Sequence, residues 1–317
     1  MSASDVARAF GLAAPARELT HVARGAMGVV YRLDTADGPY AVKRLEWAPS
    51  GDEASNIAFQ FAAADAGVSL ARPLLATSGD AVTELDDGWW RAYEWVDGAQ
   101  IPFEAATPVE VAVAIARSVG RLHALKYAPG GAVHGWFGGV ADETVEHGLA
   151  TAQAAGANVD SARRALPGLA AVSRLAVPFE TITCHNDLER QNVLVSATGA
   201  PSFVDWDNAG LQYAACEFAT ALRNWGCDGD EVPQSETIAA MTRAYRDEGG
   251  VFEPTGLEVF APFCSAWVNY RVNCCEHLAD DEGRPELVEF ERAAVDDLAA
   301  RCFTVAQLEQ VLAAVPT

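Results

Sequence analysis

One histidine, one asparagine and several carboxylates are concentrated in residues 183–207, TCHNDLERQNVLVSATGAPSFVDWD. Two apolar runs, VLV and SFV, flank the turn SATGAP and predict a β-hairpin. Because hairpin strands are antiparallel, Asn192, which enters the first strand, is expected beside Asp205, which leaves the second. An amide oxygen and a carboxylate are hard ligands that suit Mg²⁺. The spacing therefore predicts a metal site at this end of the hairpin.

Asp187 belongs to the loop that enters the same hairpin. An aspartate beside a Mg²⁺ site is typical of phosphoryl transfer, in which it orients or deprotonates the attacking hydroxyl. His185 is expected to hold this loop through hydrogen bonds. Each residue alone would more often be an ordinary turn residue, but the whole pattern, H-x-D-x-x-x-x-N followed by D-W-D after an apolar strand, is specific. It predicts a phosphotransferase centre with Asp187 as the catalytic residue.

Phosphoryl transfer also needs a site for a nucleoside triphosphate, and the N-terminal region offers one. The segment RGAMGVVYR places Gly25 and Gly28 at a hairpin tip, where backbone N–H groups can cover phosphates, although a plain turn would use the same glycines. Lys43, in AVK on the next strand, is expected to reach the α- and β-phosphates. Its expected ion-pair partner is Glu53, at the head of the following helix, with Asp52 as the alternative. Complementing the helix dipole is the other role open to Glu53.

The elements that must position these residues fall into two regions. Up to about residue 96, short apolar strands are separated by glycine turns, with one helix over 52–66. Beyond that point helices dominate, over 107–126, 142–155, 160–174, 213–225, 234–248, 256–279, 285–300 and 304–314. Thr107 is the expected N-cap of the first of these, with Pro108 at its first position and Glu110 closing a capping box. We predict an α+β chain with a small β-rich N-lobe, 1–96, and a larger, mainly helical C-lobe, 97–317.

The composition excludes several functions. The chain has 317 residues and 44 acidic against 22 basic side chains, a net charge of −22, which disfavours nucleic-acid partners. It lacks both a long apolar run and the charge pattern of a secretory signal, so we expect a cytoplasmic protein that does not bind membranes. The seven cysteines include no C-x-x-C pair, which favours isolated buried thiols over a zinc site.

Together, these motifs resemble those of the aminoglycoside-phosphotransferase family of small-molecule kinases. The family pattern HGDLHxxN…IDWxxA is similar to HNDLERQN…VDWDNA in this chain. The resemblance covers most of the chain, from the glycine-containing hairpin through AVK, YEWVDG and VGRLHAL to the catalytic segment. It implies a protein-kinase-like two-lobe fold, with ATP (or GTP) and Mg²⁺ as cofactors.

The resemblance also implies a role for individual residues. It makes Asp187 the catalytic base, Asn192 and Asp205 the metal ligands, and Lys43 and Glu53 the pair that anchors the phosphates. The implied hinge, whose backbone meets the adenine, consists of Tyr93, Glu94, Trp95 and Val96. His123, in the LH pair, resembles a structural position that packs against the catalytic loop and is therefore left out of the site.

The chain departs from the family pattern at a few positions. Asn186 stands in place of the usual glycine, and Arg190-Gln191 in place of the frequent Pro-Gly. Glu217 stands where an aspartate is usual, which keeps the charge. Asp207, the second acid of D-W-D, is a candidate to support the metal or the acceptor, or to cap the loop. None of these departures removes a predicted catalytic group.

The acceptor pocket of the family lies in the large lobe, where most of the acidic excess is found. Ahead of Val96 there are 13 acids and 8 bases, a net of −5, and from Val96 onward 31 acids and 14 bases, a net of −17. Candidate acceptor contacts are the acids Asp207, Glu217, Asp228, Asp230, Glu231 and Glu276, with Trp267, Asn269, Tyr270 and Arg271 on a late helix. Each alone is more often a solvated acid or a packed aromatic, but together the acids favour a cationic substrate that bears a hydroxyl.

The resulting prediction is a small-molecule O-phosphotransferase that moves the γ-phosphate of ATP (or GTP) to a hydroxyl. The leading substrate is an antibiotic such as an aminoglycoside or a basic peptide antibiotic, and a metabolic kinase for choline, homoserine or a sugar is the alternative. A nucleotide-binding pseudokinase is the alternative from another class, and the intact Lys43, Asp187 and Asn192 disfavour it. We expect a monomer or a homodimer.

Overall fold

The computed structural model describes residues 2–49, 53–278, 285–300 and 303–316. Asp52, the alternative partner of Lys43, lies outside the described residues. The chain divides into two compact units: Met1–Gln100 with Gln191–Ala209, and Ile101–Arg190 with Gly210–Thr317. The sequence places a boundary near residue 96 but does not predict that 191–209 joins the first unit.

Strands are concentrated in the first hundred residues, and helices dominate thereafter, as the sequence predicts. The strands are β1 (Leu19–Gly25), β2 (Gly28–Thr35), β3 (Gly38–Leu45), β4 (Pro73–Leu74), β5 (Thr83–Leu85), β6 (Gly88–Glu94), β7 (Thr181–Cys184), β8 (Val193–Val195), β9 (Pro201–Phe203) and β10 (Gly210–Tyr213). The α-helices are α1 (Ala3–Ala9), α2 (Glu53–Asp65), α3 (Val109–Ala124), α4 (Asp142–Ala154), α5 (Asp160–Ser173), α6 (Ala214–Gly226), α7 (Ser235–Asp247), α8 (Ala261–His277), α9 (Pro285–Ala300) and α10 (Val305–Ala313).

The first unit contains an antiparallel sheet in the order β1-β2-β3-β6-β4, with β5 paired to β6. Residues on neighbouring strands face each other in a fixed register, so that Lys43 of β3 is opposite Arg91 of β6. One face of the sheet is apolar, and Leu33, Val42 and Trp90 are buried there. The sheet thus places β3 and β6 side by side at its centre.

Helix α1 completes this core and is absent from the sequence prediction. Its Val6, and Phe10 just beyond its end, are buried in the same cluster as the sheet residues. The helix begins at Ser2, whose Oγ accepts a hydrogen bond from the Asp5 backbone N–H at 3.3 Å. With only seven residues, α1 is too short to show a helical period in the sequence.

Strands β8 and β9 form the predicted hairpin, and both belong to the first unit. Val193 faces Phe203 across the hairpin. Phe203 also forms a bridge with Leu70, and Val195 forms one with Ala99. These backbone links explain why 191–209 is grouped with residues from the beginning of the chain.

The second unit is mainly helical. Helices α3 and α7 pack closely, and a Cβ at Gly120 would come within 2.8 Å of the Tyr245 carbonyl oxygen, so the approach requires glycine. The ring of Phe218 stacks on that of Tyr245 with centroids 3.7 Å apart. Strands β7 and β10 form a two-stranded antiparallel sheet with Cys184 opposite Gly210. None of the helices in the described ranges is long and apolar enough to cross a membrane.

The start of α3 differs from the predicted capping box. The N-cap is Pro108, with a ψ of 136°, and no side chain caps the helix. Thr107 is buried, and its hydroxyl has no hydrogen-bond partner among the described residues. The expectation that Thr107 and Glu110 form a capping box is therefore wrong, because burial of Thr107 takes its hydroxyl away from the first helical turn.

Candidate active site

The hairpin brings Asn192 and Asp205 to the same end of β8 and β9. The Val204 backbone N–H donates to the Asn192 carbonyl at 3.0 Å, so the residue after Val204 lies next to Asn192 along the hairpin. Asp205 has a left-handed backbone, with a φ of 59° and a ψ of 67°. Amide and carboxylate oxygens suit Mg²⁺, so the chemistry of the Asn192 and Asp205 side chains fits the metal site, which stays a prediction.

Lys43 lies within hydrogen-bond distance of both carboxylates. Its Nζ donates to Asp205 Oδ1 at 2.8 Å and to Asp207 Oδ2 at 2.5 Å. The lysine is only 4% exposed, and burial by itself would lower its pKa. The carboxylates of Asp205 and Asp207 outweigh burial and raise the pKa of Lys43 above its usual value. Lys43 is therefore a buried, charged ammonium group.

The expected ion pair between Lys43 and Glu53 is not the one that the structure shows. Glu53 Oε2 instead accepts from Arg91 Nη2, and Arg91 Nη1 donates to Asp207 Oδ1 at 2.6 Å. Arg91 is the cross-strand neighbour of Lys43, so two cations lie side by side where the motif predicts one. We call the chain Glu53–Arg91–Asp207–Lys43–Asp205 the charge ladder.

Asp207 is the central acid of the charge ladder. Burial raises the pKa of its carboxyl group above the usual value, and Lys43 and Arg91 act against that rise. Of the roles considered for Asp207, loop capping and metal support both suit a carboxylate held in this way. Direct contact with an acceptor is disfavoured, because the Asp207 side chain is only 5% exposed.

The glycine hairpin is formed as predicted, with Gly25 opposite Gly28 across a two-residue turn. Gly28 has a φ of 152°, and an added Cβ would overlap the carbonyl oxygen of Arg44. Glycine is thus required at this position by both conformation and space. At Gly25 no atom lies within 4 Å of an added Cβ. The role of both glycines in covering phosphates stays a prediction.

The predicted hinge, residues 93–96, overlaps the last two residues of β6, which ends at Glu94. The Glu94 backbone N–H donates to the Arg72 carbonyl at 2.8 Å, and Tyr93 pairs with Ala41 of β3. Burial raises the pKa of Tyr93 to about 12, although Arg91 opposes the rise. Val96 lies just beyond the strand and is half-buried. Contact of this segment with an adenine stays a prediction.

The loop that carries Asp187 lies in the second unit and is held by Glu217. One carboxylate oxygen accepts from the Asn186 backbone N–H at 2.5 Å, and the other accepts from the His185 backbone N–H at 3.3 Å. The second oxygen also accepts from His123 Nε2 at 2.7 Å. Burial would raise the pKa of Glu217, but these hydrogen bonds, led by that of His123, hold it below its usual value. The loop therefore rests on an ionised, buried glutamate.

This placement corrects the expectation that Glu217 contacts the acceptor. The residue is 5% exposed, and its carboxylate is used to fix the loop backbone. His123 behaves as expected, because it packs against the loop through Glu217, while its Nδ1 lies 2.8 Å from the Tyr245 hydroxyl. The sequence signal for Glu217 was its position where the family has an aspartate.

Asn186 adopts a left-handed backbone, with a φ of 68°. Asparagine tolerates this conformation better than other residues with a side chain, which explains how it replaces the family glycine. Its Nδ2 donates to the Gly210 carbonyl at 3.1 Å. His185 holds the loop as predicted, since its Nδ1 accepts from the Asp187 backbone N–H at 3.3 Å. The loop thus presents Asp187 from a fixed backbone.

Arg190 fixes the end of this loop, which the sequence did not predict. Its guanidinium group donates to the backbone carbonyls of Pro102 at 2.8 Å, Ala105 at 2.6 Å and Asn224 at 3.1 Å. Burial lowers the pKa of Arg190 below its usual value. The departure from the family's Pro-Gly was the only sign of this role in the sequence. Arg190 binds backbone carbonyls, which every residue type has, so its partners cannot be recognised from their side chains.

The remaining acceptor candidates lie on separate elements of the second unit. Asp228 is bound within its own loop, where it accepts from the Asp230 and Val232 backbone N–H groups at 3.0 and 2.9 Å. Glu231 pairs with Arg223 in the same region, and Glu276 is exposed on α8. The aromatic candidate Trp267 packs edge-on against Phe303, as expected for a core residue. Their contact with an acceptor stays a prediction.

A family model described as the phosphotransferase enzyme family (APH) matches residues 18–253. No match was found among curated proteins. Solved structures share the fold at low identity. A spectinomycin phosphotransferase in complex with ADP and spectinomycin is 13% identical, with a TM-score of 0.65 over 94% of this chain and 93% of that chain.

Two further structures are similar. An amicoumacin kinase in complex with AMP-PNP and Ca²⁺ is 17% identical, with a TM-score of 0.57 over 92% of this chain and 91% of that chain. A microcompartment-associated aminopropanol kinase is 16% identical, with a TM-score of 0.54 over 94% of this chain and 96% of that chain. These structures confirm the kinase-like α+β fold, and the family model confirms the family resemblance expected from the motifs.

Proposed function

The chain belongs to the phosphotransferase enzyme family (APH), and on this premise we propose that it transfers the γ-phosphate of ATP to a hydroxyl of a cationic small molecule. Phosphoryl transfer to a hydroxyl follows from the family. ATP as the donor is supported by relatives of the same fold that are complexed with ADP or AMP-PNP, and GTP is the other donor that we consider. Kinases that modify antibiotics and kinases of metabolism both occur among these relatives.

The observation that carries the proposal is the setting of Lys43. A buried ammonium group on β3 lies 2.8 Å from Asp205, at the end of the hairpin that also holds Asn192. Lysine in this position suits the α- and β-phosphates of a nucleotide. Asn192 and Asp205 would hold Mg²⁺, which, when bound, offsets the negative charge of the phosphates. Gly25 and Gly28 would cover the phosphates with backbone N–H groups.

Asp187 is proposed to accept the proton of the attacking hydroxyl. Its loop is fixed at both ends, by Glu217 and by Arg190. A fixed carboxylate can hold the hydroxyl in the direction of attack, and positioning of this kind supplies much of the rate in phosphoryl transfer. Residues 93–96 are proposed to bind the adenine through their backbone.

The acceptor is proposed to be cationic because the chain is strongly acidic, with a net charge of −22 that lies mostly beyond residue 96. Asp228 and Glu276 are the proposed acceptor contacts that reach the surface of the second unit. An aminoglycoside or a basic peptide antibiotic satisfies this charge and bears hydroxyls. Choline, homoserine or a sugar is the metabolic alternative, which the aminopropanol kinase relative favours. We expect the protein to act in the cytoplasm, as a monomer or homodimer.

A phosphate-transfer screen tests the proposal. Purified protein with Mg²⁺ and ATP or GTP is offered aminoglycosides, cyclic peptide antibiotics, macrolides, choline and homoserine. We expect Asp187→Ala to lower turnover by about 10²- to 10⁴-fold, because a general base is lost, while nucleotide binding is largely kept. Asp247→Ala, an exposed acid at the end of α7, serves as the matched control.

Two outcomes would contradict the proposal in different ways. If Asp187→Ala turns over as fast as the wild type, Asp187 is not the base. If Mg²⁺–ATP binds and no acceptor of any class is phosphorylated, the protein is better described as a nucleotide-binding pseudokinase.

A further inference from the structure

The charge ladder contains a cation that the family motif does not supply. Arg91 on β6 is 5% exposed and lies directly across the sheet from Lys43. One arm of its guanidinium group, Nη2, donates to Glu53, and the other, Nη1, donates to Asp207. Arg91 therefore links two acids. One is Glu53, the partner expected for Lys43, and the other is Asp207, which accepts a hydrogen bond from Lys43.

The fork of the guanidinium group is needed for this bridge. Arginine presents donors in a rigid plane and can bind two carboxylates at once, whereas lysine is a point charge on a flexible stem. The ladder has three carboxylates and two cations, and Arg91 separates the charges of Glu53 and Asp207. Without Arg91, Glu53 would lose this ion pair and the buried Asp207 would keep the one with Lys43, and a buried charge that loses a partner is strongly unfavourable.

We propose that Arg91 is a positioning residue of the nucleotide site, which holds Asp207 so that Lys43 is aimed at the phosphates. Glu53 then acts on Lys43 indirectly, through Arg91 and Asp207. When the phosphates of a nucleotide engage Lys43, Asp207 keeps Arg91 as its counter-ion and stays in place. This inference rests on the proposed function, since it assumes that Lys43 binds nucleotide phosphates.

The first test separates phosphate binding from adenine binding. Affinities of AMP-PNP and of adenosine are measured by calorimetry for the wild type, Arg91→Met and Arg91→Lys. We expect Arg91→Met to weaken AMP-PNP binding about tenfold, as expected for one charge-assisted hydrogen bond, and to leave adenosine binding unchanged. Arg91→Lys keeps the charge without the fork and should recover only part of the loss. A residue that merely supports the fold would weaken both ligands alike, which would overturn the inference.

A double-mutant cycle shows whether Arg91 acts through Lys43. In a Lys43→Met background, Arg91→Met should cause little further loss of AMP-PNP affinity, because the group that Arg91 positions is gone. Additive losses would overturn the inference. Arg44→Met is the matched control: Arg44 is the neighbour of Lys43 on β3 and lies outside the charge ladder. It should leave both affinities unchanged.

A second measurement needs no nucleotide. The chain has two lysines, the buried Lys43 and the exposed Lys126, so ¹³C-lysine labelling gives two side-chain ε signals. Arg91→Met should shift the Lys43 signal and leave that of Lys126 in place, whereas an unchanged Lys43 signal would overturn the inference. A different result is that the wild type binds no AMP-PNP but Arg91→Met still shifts the Lys43 signal. The proposed function would then be wrong, and Arg91 would position Lys43 for a purpose other than nucleotide binding.

Discussion

Glu217 illustrates, at the scale of a single residue, how burial and charge combine. Its carboxylate has left water, which disfavours ionisation, and yet the hydrogen bonds from His123 and the loop backbone keep it ionised. Removing its charge would leave the loop N–H groups with a weaker acceptor. Stability and the position of Asp187 therefore depend on the same side chain.

Replacement of Glu217 by glutamine should change how stability depends on pH. The folded pKa of Glu217 lies below its ordinary value of 4.5, so its charge stabilises the fold above that pH, and the contribution is lost as the pH falls through the folded value. We expect Glu217→Gln to lower the free energy of unfolding near pH 7 by about 1 to 3 kcal/mol, with the difference shrinking as the pH falls below 4.5.

Urea unfolding of the wild type and the variant from about pH 7 down to about pH 2.5 measures this difference. Glu146→Gln, an exposed glutamate within α4, is the control and should be almost neutral at every pH. A difference that stays constant down to the lowest pH would mean that the charge of Glu217 is not what stabilises the loop.

The same scale shows which contacts a sequence can predict. Spacing predicts the hairpin that brings Asn192 and Asp205 to one end, and the place of Lys43 on the strand after the glycine hairpin, because strand order and turn geometry bring such residues to defined places. The roles of these residues and of Asp187 in binding and catalysis stay predictions. The partner of Glu53 could not be found in this way. Arg91 lies 38 positions from Glu53 and belongs to no motif. It comes to lie beside Lys43, and so can take Glu53 as its own ion-pair partner, only when β3 and β6 pair.

At the scale of elements, the β1–β2 hairpin depends on two glycines in different ways. Gly28 has a positive φ and no room for a Cβ beside the Arg44 carbonyl, whereas the space around Gly25 is open. The tip is further held by an ion pair between Arg24 and Glu46 at 2.9 Å. The fold therefore requires glycine at position 28 but not at position 25. The predicted reason for glycine at position 25 is its role in covering phosphates.

Alanine at these positions should separate the two reasons. We expect Gly28→Ala to lower the free energy of unfolding by about 2 kcal/mol or more, through backbone strain and overlap. Gly25→Ala should cost less than about 1 kcal/mol. Chemical denaturation measures both, and Gly25→Ala is the internal control for the hairpin. Equal losses would contradict the distinction.

Element boundaries were predictable where an apolar period or a breaker was present. The predicted helices over 142–155 and 160–174 agree with α4 and α5 to within one residue at each end. Helix α1 was missed because seven residues carry too little pattern, and the Thr107 cap was wrong because burial of the side chain cannot be read from a capping sequence. The grouping of 191–209 with the first unit depends on backbone bridges to distant residues.

At the scale of the whole molecule, the net charge of −22 is the dominant electrostatic property. A field of this sign attracts cations over a distance set by the ionic strength, about 10 Å at 0.1 M and about 3 Å at 1 M salt. The same field repels nucleic acids. A cationic acceptor would therefore be concentrated near the protein before it makes any specific contact.

The Michaelis constant for the acceptor should depend on salt. We expect KM for a cationic acceptor to rise several-fold as NaCl is raised from about 0.02 M to 0.5 M, because screening weakens the attraction. An uncharged acceptor should show little change and serves as the control. Steady-state kinetics at saturating nucleotide measure this, and a flat KM for the cation would contradict a role for the acidic surface in substrate capture.

Because the first unit is built from two separate stretches of the chain, its parts are synthesised at different times. Lys43 binds Asp205, which lies 162 positions later in the chain. At about 5 to 20 residues per second, roughly 8 to 32 s separate the synthesis of the lysine from that of its counter-ion. During that interval β1–β6 are already synthesised, whereas Asp205 and Asp207 are not. The phosphate-binding end of the unit is therefore completed late in translation, after nearly all of the first hundred residues have had time to fold.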